Sequence, residues 1–202
     1  MELLALMEMD AMKIVGVGAG PGMITLEAIE AIRSAKLIYG SERAISLAGD
    51  HIPPGCDVRV IRDYSSLRRL PDDAVVLSTG DPMLSGLGYL GGHVIPGISS
   101  MQVACARLGL SLLKVVPITF HGRKMDPEAV AFELKHGRCV FLLADDSTDL
   151  NALCSYLEDT GIHSDVVVLR DLGYPEERIT AGTTRDPPEA RGLFSVVIGD
   201  LG

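Results

Sequence analysis

Near the start of the chain a β-branched run, a loop with four glycines in seven positions and a helical pattern follow one another without a gap. The run is Lys13-Ile14-Val15, the loop Gly16-Val17-Gly18-Ala19-Gly20-Pro21-Gly22, and the helix places Leu26, Ile29 and Ile32 on one stripe. Ala28, Ala31 and Ala35 lie beside that stripe, with Glu27 and Glu30 early and Arg33 and Lys36 late, as the helix dipole favours. Strand, tight turn and helix in this order commit the segment to a layered α/β domain.

The alternation continues. Strands are expected at 13–17, 37–39, 58–61, 74–78 and 93–95, and a second helix at 100–108, stopped by Gly109. From Val115 the pattern restarts with a strand at 115–119, a helix at 127–135, the apolar strand 139–144 and a helix at 149–158. Strands at 166–170, 179–183 and 194–198 complete it. The expected organisation of the 202 residues is an N-terminal extension (1–11), an N-terminal α/β domain (12–112) and a C-terminal α/β domain (113–202).

Three loops follow strands in the first half and carry the chemistry. In the first, glycines let a ligand approach the backbone, but Pro21 stands where a G-x-G-x-x-G dinucleotide fingerprint needs glycine. Proline offers no N–H to a pyrophosphate, so the loop is shaped for contact; alone it is equally a tight strand-to-helix turn. The second, Ser78-Thr79-Gly80-Asp81-Pro82-Met83-Leu84-Ser85-Gly86, sits at the carboxyl end of a strand, where ligands bind in open α/β sheets. Pro82 forces Asp81 towards an extended backbone, which presents its carbonyl and carboxylate to one side, suited to a cationic or amine-bearing ligand. An Asp-Pro turn without a ligand has the same pattern. The third, Ile95-Pro96-Gly97-Ile98-Ser99-Ser100, offers Ser99 or Ser100 either as a helix cap or as a hydroxyl for a bound molecule.

Lys and Arg number 18 against 27 Asp and Glu, a net charge of −9, so the chain lacks the basic run that drives binding to nucleic acid by counterion release. Cys56, Cys105, Cys139 and Cys154 are widely spaced, with no C-x-x-C pair and no histidine at ligand spacing; they read as buried thiols of a reducing compartment, with no metal. The stretch 1–11 is acidic and lacks a basic segment and a long apolar core, so it reads as neither signal peptide nor membrane span. Either translation begins naturally at Met12 or these residues are an ordinary extension. No run reaches the roughly 18 uninterrupted apolar residues of a spanning helix.

Taken in order, GVGAGPG, TGDPMLSGLG and PGISSMQVACARLG resemble the tetrapyrrole methylases, which methylate carbons of uroporphyrinogen and precorrins with S-adenosyl-L-methionine. Phe120-His121-Gly122-Arg123 and Asp171-Leu172-Gly173-Tyr174-Pro175-Glu176-Glu177-Arg178 are similar to the branch that methylates C-5 of precorrin-7 or its cobalt form. The resemblance spans residues 12–202 and implies a cytoplasmic, S-adenosylmethionine-dependent enzyme of cobalamin biosynthesis. It also implies two α/β domains with the cofactor in the cleft between them, and a homodimer. Carried over by position, the cofactor residues are Pro21, Gly80, Asp81, Leu84, Ser99 and Ser100, with Leu143, Ala144, Asp171 and Leu172 from the second half. Two segments depart from the family pattern. Residues 87–95 are short where a longer helix and strand are usual, and 185–192, with Pro187 and Pro188, is too short for the helix often found there.

Methyl transfer from a sulfonium to an electron-rich ring carbon needs alignment and exclusion of water but no protein nucleophile, and no nucleophile motif is present. No catalytic base is named. The corrinoid substrate carries several carboxylates, so local cations must offset the negative chain; His121, Arg123 and Lys124 form one cluster, and Arg62, Arg68 and Arg69 another. Both clusters are equally readable as solvated surface. A separate enzyme that methylates and decarboxylates at C-15 is a candidate partner. Other substrates of the same fold, the diphthamide precursor or ribosomal RNA, are disfavoured by the His121-Gly122-Arg123 and Gly173-Tyr174-Pro175 segments and the acidic balance. A cofactor-binding regulatory module without catalysis remains the alternative of a different class.

Overall fold

The computed structural model describes residues 11–84, 86–120, 122 and 124–202. It divides after Ser100 into two compact α/β units.

The first unit is built on a five-stranded sheet of β1 (Lys13–Gly16), β2 (Leu37–Gly40), β3 (Asp57–Val60), β4 (Val75–Ser78) and β5 (His93–Ile95). The order is β3-β2-β4-β1-β5 and every pairing is parallel. All five carboxyl ends therefore leave the sheet along one edge. Helix α1 (Leu26–Arg33) starts where Thr25 accepts the Ala28 N–H, and it buries Ala28, Ala31 and Ile32. A second helix, α2 (Glu42–Ala48), absent from the sequence expectation, is capped by Ser41 and buries only Ala44 and Ala48. Val15 and Leu77 point to the helix-covered face, together with Ile32 and Ile38. Their neighbours Ile14 and Val76 point to the other, as strand alternation requires. That second face is closed by two 3₁₀ stretches, Tyr64–Arg69 and Leu87–Leu90, through buried Leu67 and Leu87.

The second unit carries β6 (Val115–Thr119), β7 (Cys139–Ala144), β8 (Asp165–Arg170), β9 (Arg178–Thr183) and β10 (Phe194–Gly199), in the order β6-β7-β10-β8-β9. Only β6 and β7 run parallel; β10 lies antiparallel between β7 and β8, and β9 is an exposed antiparallel edge. Helix α3 (Ser100–Leu108) precedes β6, and α4 (Pro127–Lys135) and α5 (Leu150–Asp159) start at Asp126 and Asp149, which cap Ala129 and Ala152. One core contains Phe120, Val130, Leu142, Leu153, Leu157 and Val196.

Residues 185–192 hold no helix, as their length and two prolines predict. Cys105, Cys139 and Cys154 are buried free thiols, whereas Cys56 is only half-buried. No helix among the described residues is long and apolar enough to cross a membrane.

Candidate functional site

Strands β4, β1 and β5 are neighbours, with Gly16 level with Ser78 and Val15 level with both Leu77 and Ile95. The three loops predicted to carry the chemistry therefore leave adjacent strands at the same edge. The first two extend the ladder beyond the strands. Val17 N–H donates to Ser78 O at 2.9 Å, Gly80 N–H to Gly18 O at 2.8 Å, and Gly18 N–H to Gly80 O at 3.3 Å. Arg43 from α2 steadies the first loop by donating to Ala19 O at 3.3 Å.

Asp81 ties the second loop to the third. Its Oδ2 accepts Gly97 N–H at 3.1 Å and its Oδ1 accepts Met83 N–H at 2.7 Å. Each oxygen thus holds a backbone N–H, so the carboxylate joins the second and third loops and keeps further acceptor capacity for a ligand. Gly16 and Gly97 are the residues that sequence reasoning missed. A Cβ on Gly16 would stand 2.6 Å from Gly97 N and 2.8 Å from Gly80 O, closer than side-chain carbons come to such atoms. The signal was present in the quoted motifs, but only the parallel register shows that these glycines face one another.

Gly80 has φ +72, and a Cβ built there would meet nothing nearer than Ser99 Cα at 3.9 Å and Ser100 N at 4.0 Å. A small cradle thus opens over Gly80 and is bordered by the start of α3, a nine-residue helix whose first N–H groups lack intrahelical partners. Ser99 is buried, Ser100 and Leu84 are partly exposed and Pro21 is exposed. Large apolar side chains also face solvent in or near these loops: Leu26, the first residue of α1 after the first loop, Met83 in the second and Ile98 in the third. Backbone donors beside apolar surface suit a ligand that carries both an acidic group and a planar ring.

In the second unit Leu143 and Ala144 end β7, and Asp171 and Leu172 follow β8. Because β10 runs antiparallel to both, these two strand ends emerge at one edge and flank Phe194; Ala144 is level with Phe194, and Leu143 and Leu169 are both level with Ser195. Ala144 and Leu172 are buried, Leu143 is half-buried and Asp171 is exposed. Asp171 is the single described non-glycine residue at positive φ (50), a conformation that aspartate tolerates better than most side chains. Its loop is clamped by Glu177, whose Oε2 accepts Gly173 N–H at 2.7 Å and whose Oε1 pairs with Arg107 Nε at 2.6 Å. The Arg107 hydrogen bond, then the Gly173 N–H, holds the Glu177 carboxyl below its ordinary range.

The predicted substrate residues His121 and Arg123 lie outside the described residues. Their neighbours are anchored at this same edge: Phe120 N–H donates to Leu143 O at 2.8 Å, and Gly122 N–H to Asp145 Oδ2 at 3.3 Å. Among the described residues no group of three or more His, Cys, Asp or Glu could hold a metal ion.

The family model described as Tetrapyrrole (Corrin/Porphyrin) Methylases matches residues 13–188. The chain is 31% identical over 202 residues to the probable cobalt-precorrin-7 C(5)-methyltransferase of Methanocaldococcus jannaschii, covering 89% of this chain and 92% of that protein. It is 32% identical over 197 residues to the decarboxylating precorrin-6Y C(5,15)-methyltransferase of Mycobacterium tuberculosis. That match covers 87% of this chain and 48% of the relative, so the chain spans about half of that protein's length. Among solved structures, the cobalamin biosynthesis precorrin-6Y methylase from Archaeoglobus fulgidus matches with a TM-score of 0.78 at 30% identity, covering 94% of this chain and 97% of that one.

Proposed function

The chain belongs to the tetrapyrrole (corrin/porphyrin) methylases, and from that premise we propose that it methylates C-5 of cobalt-precorrin-7 or precorrin-7 in cobalamin biosynthesis, with S-adenosyl-L-methionine as donor. The observation that carries this reading is the convergence of three strand-end turns through the Gly18–Gly80 and Asp81–Gly97 hydrogen bonds.

When bound, the cofactor supplies an electrophilic methyl group on a sulfonium. We assign its binding to Pro21, Gly80, Asp81, Leu84, Ser99 and Ser100, with backbone and apolar contacts from Leu143, Ala144, Asp171 and Leu172. The open side of Gly80 beside the first turn of α3 suits the carboxylate of its amino-acid end, which the positive end of a helix attracts. Asp81 acts by holding Gly97 and Met83 in place, which fixes the turns before the ligand arrives and lowers the ordering cost of binding. Leu84 and the exposed Met83 and Ile98 exclude water from the path of the methyl group. The ring carbon is itself the nucleophile, so no side chain is assigned to attack. His121 and Arg123 are proposed to meet the acid side chains of the corrinoid.

We further propose that the enzyme works as a cytoplasmic homodimer. The C-15 methylation and decarboxylation named for the M. tuberculosis relative are assigned to a partner enzyme. Incubation with methyl-labelled S-adenosylmethionine and precorrin-7, with and without cobalt, tests the activity. Label at C-5 of the macrocycle is the expected result, and a macrocycle recovered without label overturns it.

A further inference from the structure

We infer that Arg68, held over the Tyr89 ring and flanked in sequence by Arg62 and Arg69, forms a carboxylate-binding rim for the acid side chains of a flat macrocyclic substrate. This rests on the proposed function and adds a recognition element that the three turns do not contain.

The guanidinium carbon of Arg68 lies 5.6 Å from the centroid of the Tyr89 ring. A cation held over a ring in this way keeps its N–H donors for a carboxylate, which a guanidinium can take in bidentate fashion. The platform is firmly mounted. Leu67, one residue before Arg68, is 2% exposed, and Leu87, two residues before Tyr89, is 8% exposed; both belong to the cluster that closes the second face of the first sheet.

The platform also joins the second turn. A Cβ on Gly88 would lie 2.4 Å from Met83 Sδ, so the Met83 thioether rests against the residue preceding Tyr89. Met83 is 69% exposed and Tyr89 53%. Apolar surface thus runs from the turn to the ring, with a cation at its far end, and matches a macrocycle that is apolar across its plane and acidic at its rim.

Charge accounting among the described residues supports the assignment. Arg59, Arg107, Arg138, Arg185 and Arg191 each have a carboxylate within ion-pair distance, whereas Arg62, Arg68 and Arg69, like Arg33, Arg170 and Arg178, have none; what sets the first three apart is that they fall within eight consecutive residues. Asp63, the one acid between them, is turned into its own 3₁₀ stretch, its Oδ1 accepting Ser65 N–H at 2.9 Å and Ser65 Oγ–H at 2.6 Å. Asp72 and Asp73 follow just before β4, at the amino end of that strand. Three unpaired guanidinium groups on a chain of charge −9 create a local field of the opposite sign, which is what a polyanionic substrate requires.

The test titrates the full chain with cobyrinic acid, a corrin with free carboxylates, and with its amidated counterpart, by calorimetry in the presence of S-adenosylhomocysteine. The wild type should prefer the free acid, and Arg68→Gln and Arg69→Gln should each weaken it about fivefold, as removal of one partly exposed charge pair does. Affinity for S-adenosylhomocysteine and for the amidated corrin should hold, and Arg68→Lys should recover part of the loss. Equal wild-type affinity for the two corrins, or a glutamine variant that melts lower yet binds the free acid unchanged, overturns the rim while labelled methyl transfer leaves the enzymatic assignment standing. A wild type that binds no corrin and transfers no methyl group overturns both.

Discussion

Gly97 and Gly80 meet backbone to backbone, so closely that a Cβ on Gly97 would stand 2.3 Å from the Gly80 carbonyl oxygen and 2.9 Å from Gly16 Cα. The turns can converge only because these positions lack side chains. Gly97→Ala should destabilise the protein by about 1–3 kcal/mol, the usual cost of overpacking. It should also weaken S-adenosylhomocysteine at least about tenfold, since displaced turns no longer share one cradle. Gly49→Ala is the control: Gly49 has φ −48 and open space around it, so alanine there should be neutral or slightly stabilising. Urea unfolding and calorimetry on the two variants measure both effects.

Asp81→Asn isolates the hydrogen bonds from the shape of the side chain. Asparagine keeps one acceptor oxygen and turns a donor towards either Gly97 N–H or Met83 N–H. One backbone donor is left facing another donor, at a cost of about 1–3 kcal/mol. Urea midpoints for the two proteins give the difference directly; coincident midpoints would show that Asp81 does not hold the turns.

The lower edge of the stability profile in acid should carry the mark of Glu158. Its carboxyl takes hydrogen bonds from Thr184, His163 and Arg185 and is held down to about 2, with the Thr184 bond the largest cause. A folded value below the unfolded one, about 4.3 for glutamate, makes its stabilisation complete above that pH and lost as pH falls through about 2. The difference in unfolding free energy between wild type and Glu158→Gln should shrink as pH falls below about 4. A difference that stays constant down to about pH 2 contradicts the assignment.

Thiol chemistry should sort the cysteines by burial. Cys56 is half-buried, while Cys105, Cys139 and Cys154 are buried, and burial followed by the nearby Glu158 pushes the Cys154 thiol up to about 11. Iodoacetamide at about pH 8, followed by mass spectrometry of peptides, should modify Cys56 first and Cys154 only after unfolding. Equal rates for the two would show that the second core is open to reagent.

Much of this architecture is legible in the chain itself. The strands 93–95, 115–119 and 139–144 and the helices 100–108 and 127–135 fall where hydrophobic periodicity predicts, because buried β-branched runs and capped helices are strong local signals. Helix α2 escaped because its buried face is two alanines, too little contrast for periodicity to register. The antiparallel insertion of β10 between β7 and β8 is a non-local pairing that no local pattern encodes, yet it brings Ala144 and Asp171 to one edge. Gly80, Ser99 and Ser100 stand together as their motifs predict, whereas the work of Asp81 depends on Gly97, sixteen residues away, and needed the fold to reveal it.

A crystal grown with S-adenosylhomocysteine tests the central claim most directly. Density for the ligand lying over Gly80, with its carboxylate at the backbone N–H groups of Ser99 and Ser100 and its body against Pro21 and Leu84, is the predicted result. Ligand density at any place that leaves the Gly18–Gly80 and Asp81–Gly97 junction untouched would contradict it.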